Sequence, residues 1–537
     1  MKKTKFISVL LLCAVLTLSA CFAAGCFGGK DATDPPDTDV PPVITPDDPD
    51  KDDGSDTPTV PVKPQDYTLE HFGLGETPVR ININTDGGVP ITGAERDQPW
   101  FDCMVSVDNA GENDFAATDA EVRVRGNSTA NFEKKSYRIK FTEKRSFLGL
   151  NDGAECKNWV LLACYKDVSF LRDAAIFEAA RTLLGDDGYY SSDFSFAEVS
   201  VNGSYNGMYL VAEQQQVNKN RVDVNEPDEG YTGTDIGYLV EYDGLATRED
   251  AGTWFTVDYK DYPIRCEDGS ERLPSQWPVF FNRTTVTYTI KNDMYGDDPS
   301  NTEQFGFISA YIENVFKIAY DAIYNGVYNT FNETYTEIVP STYTDSYSAI
   351  SAVIDVRSWV DMFLLQEIAC DNDIDWSSFF MSVDMSADGN KKLTFEAPWD
   401  FDSGLGMMKG LEDYDKIFSA NASTVAMNGL NPFIALPFSA DWFREMCAER
   451  WNEFIEEGGA TRTLGLIYAV TRGYEDEFAR NYERWDNLGV YTDEQYQSET
   501  VLTFRTQEDA ADYLYNWITD RIEFLTNYFA DVPPTGN

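Results

Sequence analysis

The sequence predicts a two-lobed α+β domain over residues 67–535, β-rich to about residue 300 and mostly helical from 301 on. Three observations predict it. Apolar and polar residues alternate between about Val79 and Phe141, as in Val79-Arg80-Ile81-Asn82-Ile83 and Val122-Arg123-Val124-Arg125, the period-two pattern of half-buried strands. From about Asn301 the pattern turns helical, interrupted by a strand-like Leu393-Thr394-Phe395-Glu396. The chain also carries 34 Phe, 30 Tyr and 11 Trp, ample material for a large core.

Individual elements follow the same logic. Phe170 to Leu184 has Ala-rich helical spacing with Gly185 as its stop. Strands return at Phe196–Val201 and Gly207–Val211, joined through Asn202-Gly203, a strong hairpin signal because both residues accept positive φ. A β-rich half followed by a helical half suits segregated α+β architecture. No internal repeat is visible.

Ahead of the domain, Lys2, Lys3 and Lys5 precede an apolar run from Phe6 to Ala20. Such a run is short for a permanent span and fits a signal peptide over residues 1–20. It ends in Leu18-Ser19-Ala20-Cys21, which resembles a bacterial lipobox; that resemblance implies lipidation of Cys21, with Cys26 as a second candidate. Residues 21–66 are dominated by Asp, Pro and Thr. With little to bury and like charges in mutual repulsion, they read as an extended spacer. The expectation is a protein lipid-anchored at the extracellular face of the membrane.

Charge excludes one partner. The chain has 42 Lys plus Arg against 91 Asp plus Glu, a net charge of −49, so nucleic-acid phosphates would be repelled. Histidine excludes two chemistries. His71 is the only one, outside any constellation, so a Ser-His-Asp triad would have to use it and a multi-histidine zinc site is impossible. The six cysteines beyond residue 30 show no CxxC pair, and their spacing gives no disulfide connectivity. Chemistry must run on carboxylates, lysines and arginines, with room for a hard cation.

Two constellations have that composition. Residues 121–145 hold eight cations (Arg123, Arg125, Lys134, Lys135, Arg138, Lys140, Lys144, Arg145) against three glutamates. Inside this basic island, Arg125-Gly126-Asn127-Ser128-Thr129 is a turn able to present N–H groups to an anion. In Ser136–Phe141, Tyr137, Ile139 and Phe141 face one way and Arg138 and Lys140 the other, giving an apolar back and a cationic front suited to phosphate. The bland alternative is pairing with the surplus acids. The second constellation is Asp371-Asn372-Asp373-Ile374-Asp375-Trp376-Ser377-Ser378 with Pro398-Trp399-Asp400-Phe401-Asp402-Ser403-Gly404. Carboxylates brought together by a hairpin suit Mg²⁺, which takes one or two and leaves its other positions to water and phosphate. Solvated acidic loops, a Ca²⁺ site, or glycosidase carboxylates with Trp376 and Trp399 stacking on sugar fit the same spacing.

Taken in order, five stretches resemble the spore-coat CotH kinase family: Arg123–Ser128, Lys134–Lys140, Trp159–Leu162 with Ser169–Asp173, Val201–Glu213, and Pro398–Asp402. The resemblance spans roughly 79–530. It implies an atypical protein-kinase fold transferring phosphate from ATP to protein hydroxyls, with Mg²⁺. Asp400 then resembles the metal-binding aspartate, with Asp402 beside it. Asp373 resembles the catalytic aspartate, Asp371 and Asp375 lying close enough to compete. Arg125 and Asn127 belong to the phosphate turn, and Lys135 and Lys140 are candidates for the ATP-phosphate lysine, one of which should lie within a triphosphate's reach of Asp400. Glu178 is a candidate ion-pair partner, and Glu213 ends the strand that sits where a kinase hinge meets adenine. One departure stands out. Ser378 occupies the position where a kinase catalytic loop carries a metal-binding Asn, and a hydroxyl is the poorer ligand. Three functions therefore compete: an active surface kinase acting on extracellular or surface proteins, a kinase-shaped binding or adhesion protein without catalysis, and a carbohydrate-active enzyme.

Overall fold

The computed structural model describes residues 62–94, 97–228, 230–248, 252–266, 269–276, 284–292, 302–418, 420 and 429–532. The signal peptide, Cys21, Cys26 and nearly all of the spacer lie outside the described residues.

Seven strands form the first layer: β1 (Val79–Thr85), β2 (Phe101–Asp108), β3 (Phe115–Arg125), β4 (Ser136–Arg145), β5 (Cys156–Leu162), β6 (Phe194–Val201) and β7 (Ser204–Glu213). They close into a barrel in the order β1-β2-β3-β4-β5-β7-β6. Closure comes from a parallel pairing of β1 with β6, Val79 opposite Ala197 through Ile83 opposite Val201. Closing removes the exposed edges that an open sheet would present. The alternation read from sequence sorts the two faces. Ile81, Ile83, Val105, Val122, Val124, Ile139, Trp159, Leu161, Val199 and Val211 fill the barrel, while Arg123, Arg138 and Asn158 point outward into the cleft described below. Asn202 and Gly203, at φ +51° and +75°, make the β6–β7 turn.

A second, five-stranded sheet draws on distant parts of the chain. It comprises β8 (Gly237–Tyr242), β9 (Trp254–Asp258), β10 (Thr285–Ile290), β11 (Phe379–Asp384) and β12 (Thr394–Phe395), in the order β12-β11-β8-β10-β9. The strand-like interruption of the helical half is thus the edge of a sheet begun in the β-rich half. The longer helices are α1 (Arg172–Ala180), α2 (Thr302–Tyr320), α3 (Val356–Ala369), α4 (Asp441–Glu456), α5 (Gly459–Gly473), α6 (Glu475–Arg484) and α7 (Gln507–Ala530). The protein is mixed α+β, its first half β-rich and its second helical. Helix α3 is buried on nearly every side, including Trp359, Phe363, Leu364, Leu365 and Ile368, as a central core helix must be.

Two tie points join these layers. Lys134 is buried, and its ammonium donates to the carbonyls of Ala163 (2.8 Å) and Met208 and to Asn481 Oδ1 (3.0 Å), pinning the barrel to α6. The stretch Lys63–Phe72 straps across α5. Tyr67 lies on Gly465 and Leu69 on Gly473, where an added Cβ would come within 2.4 and 2.5 Å of those side chains. Arg462 donates to the His71 carbonyl at 3.0 Å, and the His71 ring accepts from Thr68 N–H at 3.1 Å, a structural task for the one histidine.

Candidate active site

A cleft of about 1370 Å³ opens between the outer face of the barrel and the five-stranded sheet with its adjoining loops. That exceeds the usual volume for one small ligand, roughly 300–1,000 Å³. Arg123, Arg125, Arg138 and the turn Gly126–Thr129 line one wall, Gln214–Val217 the segment after β7, and Asp373, Ser378, Asp400 and Asp402 the opposite wall. Three cations of the basic island, Arg123, Arg125 and Arg138, therefore share one cleft with both carboxylate loops, while Lys135 and Lys140 do not line it.

Local backbone explains how. Helix α3 ends at Cys370, which turns the chain with φ +46°. Asp371 Oδ1 then accepts from Asp373 N–H at 3.1 Å, folding the next residues into a tight turn. The turn buries Asp371 and Asp375, 2% and 0% exposed, and only Asp373 of the three lines the cleft. The second loop leaves β12 through Ala397 and Asp400, at φ +60° and +70°, uncommon values for residues with a side chain. Asp173, in the first turn of α1, accepts from Phe401 N–H at 2.7 Å. Leu405 N–H donates to Ala369 O at 2.6 Å, and a Cβ at Gly404 would lie 2.6 Å from that same carbonyl. The Asp400 loop is thus laced to the end of α3, and glycine is required at the crossing.

The two loops touch through side chains. Ser378 Oγ donates to Asp400 Oδ2 at 3.3 Å, and Ser378 N–H donates to Glu241 Oε1 at 3.0 Å. Ser403 Oγ lies 3.4 Å from Asp373 Oδ2. Lys166, in the loop after β5, reaches Asp402 Oδ1 at 3.2 Å. Electrostatics reflect the crowding of acids. Burial, with Asp402 and Asp373 nearby, pushes Asp400 up to about 7 against the opposing pull of Arg125 and Lys166. Burial also raises Asp373, while Lys166 pulls it back. For Lys166 burial disfavours the charge, but Asp402, Asp373 and Asp400 outweigh it and hold the ammonium above its ordinary range. Burial lowers Arg125, opposed by Asp400 and Asp173; its guanidinium lies 5.4 Å from the Trp399 ring centroid.

The candidate residues divide plainly. Arg125, Asn127, Asp373, Ser378, Asp400 and Asp402 line the cleft; Lys135, Lys140, Glu178 and Glu213 do not. Lys135 folds back to donate to Ala130 O at 2.8 Å. Lys140 pairs with Glu121 at 3.4 Å on the exposed barrel surface. Glu178 is buried against Arg462 and, at 3.5 Å, Arg181. Glu213 pairs with Arg221 at 3.0 Å, both fully buried, and the residues just after it, Gln214–Gln216, line the cleft instead. Sequence reading missed Lys166 and the Lys291–Glu241 pair that bridges β10 and β8 on the cleft wall. The one signal for Lys166 is its place between Trp159–Leu162 and Ser169–Asp173, two stretches that carry the family resemblance. Among the described residues no three His, Cys, Asp or Glu side chains converge closely enough to hold a metal ion by themselves.

Comparison with curated proteins finds none that matches. A family model described as CotH kinase protein matches residues 122–525, about three quarters of the chain. The match begins on the island strand β3 and ends within α7, so both walls of the cleft fall inside it. The chain belongs to the CotH kinase protein family.

Proposed function

We propose that this protein is an ATP-dependent protein kinase, with the barrel as one lobe, the helices and five-stranded sheet as the other, and the cleft between them as the site of phosphoryl transfer. One observation carries the reading: Asp373 and Asp400, delivered by separate loops, line a cleft whose facing wall is Arg125 and the Gly126–Thr129 turn.

Phosphoryl transfer asks mainly for positioning and charge stabilisation, and the residues divide that work. Arg125 and the turn beside it hold phosphate oxygens. Their charge takes the place expected of Lys135 or Lys140, whose ammonium groups are engaged away from the cleft lining. Asp373 accepts the proton of the attacking hydroxyl as its oxygen bonds to the γ-phosphorus and the bond to the β–γ bridging oxygen breaks, releasing ADP. Gln214–Gln216 meet the nucleotide base. The donor set fits Mg²⁺, since one or two carboxylates suffice when phosphate and water complete the shell; Asp400, Asp402 and Ser378 would hold it. When bound, that ion neutralises the charge on the transferring phosphoryl group. The crowding that raises Asp400 supports the fit, because carboxylates held this close favour a shared cation.

The acceptor is a protein hydroxyl at the cell surface. Cys21 carries the lipid anchor, and residues 21–66 space the domain from the membrane. Titration calorimetry with ATP, with and without Mg²⁺, joined to transfer of labelled γ-phosphate onto surface proteins, tests the kinase reading. Nucleotide binding and transfer by wild type are expected. Absence of any nucleotide binding hands the cleft to the non-catalytic binding reading. Mass spectrometry of the mature N-terminus should find a diacylated Cys21, and an unmodified start further downstream would end the anchoring proposal.

A further inference from the structure

Lys166 and Ser403 sit between the two carboxylate loops. Lys166 is largely enclosed, its side chain 12% exposed, and its ammonium donates to Asp402 Oδ1 at 3.2 Å and to Ser403 Oγ at 2.5 Å. Ser403 is 2% exposed. Its single hydroxyl proton has two acceptors within reach, Asp402 Oδ1 at 3.2 Å and Asp373 Oδ2 at 3.4 Å. Because Lys166 already serves both Asp402 Oδ1 and the serine oxygen, the arrangement that satisfies both carboxylates sends the serine proton to Asp373.

We propose that Lys166 and Ser403 are a positioning pair: Lys166 polarises the Ser403 hydroxyl, and Ser403 holds the Asp373 carboxylate turned toward the acceptor. The inference rests on the kinase reading for the task of Asp373. It gives the buried lysine a role other than binding phosphate, since two of its three N–H groups are committed to protein oxygens.

Geometry supports this over a purely structural role. The Ser403 backbone is already fixed by its neighbours, with Gly404 N–H donating to Phe401 O at 3.0 Å and Leu405 N–H to Ala369 O at 2.6 Å. The hydroxyl is therefore not needed to shape the loop. The other oxygen of Asp373 is left for a substrate.

The test uses the full chain, with Ser403→Ala, Ser403→Thr and Lys166→Met. Losing the Ser403 hydroxyl should lower kcat about tenfold while KM for ATP stays within about twofold, and Ser403→Thr should restore most of the rate. A second readout needs no activity. With carboxyl-¹³C aspartate, the Asp373 resonance, assigned through Asp373→Asn, should move in Ser403→Ala and Lys166→Met and return in Ser403→Thr. An unmoved resonance together with wild-type kcat in Ser403→Ala overturns the proposal. So does a rise in KM for ATP with kcat unchanged, the mark of a residue that shapes the nucleotide site. If wild type transfers no phosphate, the kinase reading fails separately, and the resonance still decides whether the pair holds Asp373.

Discussion

Ser378 and Asp400 are joined by a 3.3 Å hydrogen bond between loops that leave different elements, and both residues sit at positive φ, +64° and +70°. Ser378, which the family resemblance sets where a kinase carries a metal-binding Asn, thus lies on the cleft wall in contact with Asp400. Asn is among the residues best tolerated at positive φ. Ser378→Asn should fold as wild type and tighten Mg²⁺-dependent ATP binding several-fold, read by calorimetry. Asp400→Ala should lose about 10²-fold or more in transfer rate with an unchanged melting temperature.

The same aspartate should impose a pH dependence. Its folded-state value lies at about 7, raised by burial and by Asp402 and Asp373, and a carboxylate must be ionised to hold a cation. Mg²⁺-dependent ATP affinity should fall as pH drops below about 7, approaching a tenfold loss per unit, whereas any Mg²⁺-independent binding should change little. Calorimetry from pH 5.5 to 8.5 would show it, and a flat profile would contradict the assignment of Asp400.

Lys135 and Lys140 separate island from site. Lys135→Ala and Lys140→Ala should leave ATP affinity within about twofold of wild type, because neither ammonium lines the cleft. Arg125→Ala should weaken it tenfold or more, given that charge-assisted hydrogen bonds contribute about 1.5–3 kcal/mol. Equal losses in all three would contradict the assignment of the phosphates to Arg125 and the turn beside it.

Asp375 offers a stability test apart from catalysis. Burial, then the nearby Asp373, pushes it up to about 8, against roughly 3.9 in an unfolded chain. The folded protein keeps a proton that the unfolded chain releases, so this group lowers stability progressively as pH rises from about 4 to about 8. Asp375→Asn should remove that loss, adding roughly 1–3 kcal/mol at pH 8.5 and almost nothing at pH 4. Thermal melts at the two pH values give the difference, and phosphate transfer should be retained.

Arg521 should prove structurally indispensable. Fully buried with Glu367, it donates to that carboxylate at 2.8 Å and to the carbonyls of Tyr414 and Lys416 at 2.7 Å. Arg521→Met removes the counter-charge of an enclosed carboxylate and should cost about 3–5 kcal/mol by chemical denaturation. Adding Glu367→Gln should recover part of it.

Much of this was legible in the chain, and what was not has identifiable causes. Alternation exposed the strands and which of their residues face the core, because period two is local. Barrel closure was not visible, since β1 meets β6 through a parallel pairing between residues far apart in sequence. The carboxylate cluster could be found by composition. The choice of Asp373 over Asp371 and Asp375 could not, because it depends on the left-handed turn at Cys370 and the Asp371 cap that follows it. The island was read correctly as a strand with a cationic face, yet Glu121 opposite Lys140 neutralises the far end of that face. Lys166 stood alone in a loop, and only folding gives it Asp402 and Ser403 as neighbours.

The strap over α5 has a mechanical consequence. Tension on the chain ahead of residue 62 enters the domain at Tyr67 and Leu69, seated on Gly465 and Gly473, so the helical half takes the load before the barrel does. The next link is Arg462, bonded to the His71 carbonyl and to Glu178 of α1, and the head of that helix carries Asp173, which grips Phe401 N–H beside Asp400. If the chain is anchored ahead of residue 62, as proposed, a pull on it would reach the Asp400 loop along this series of contacts.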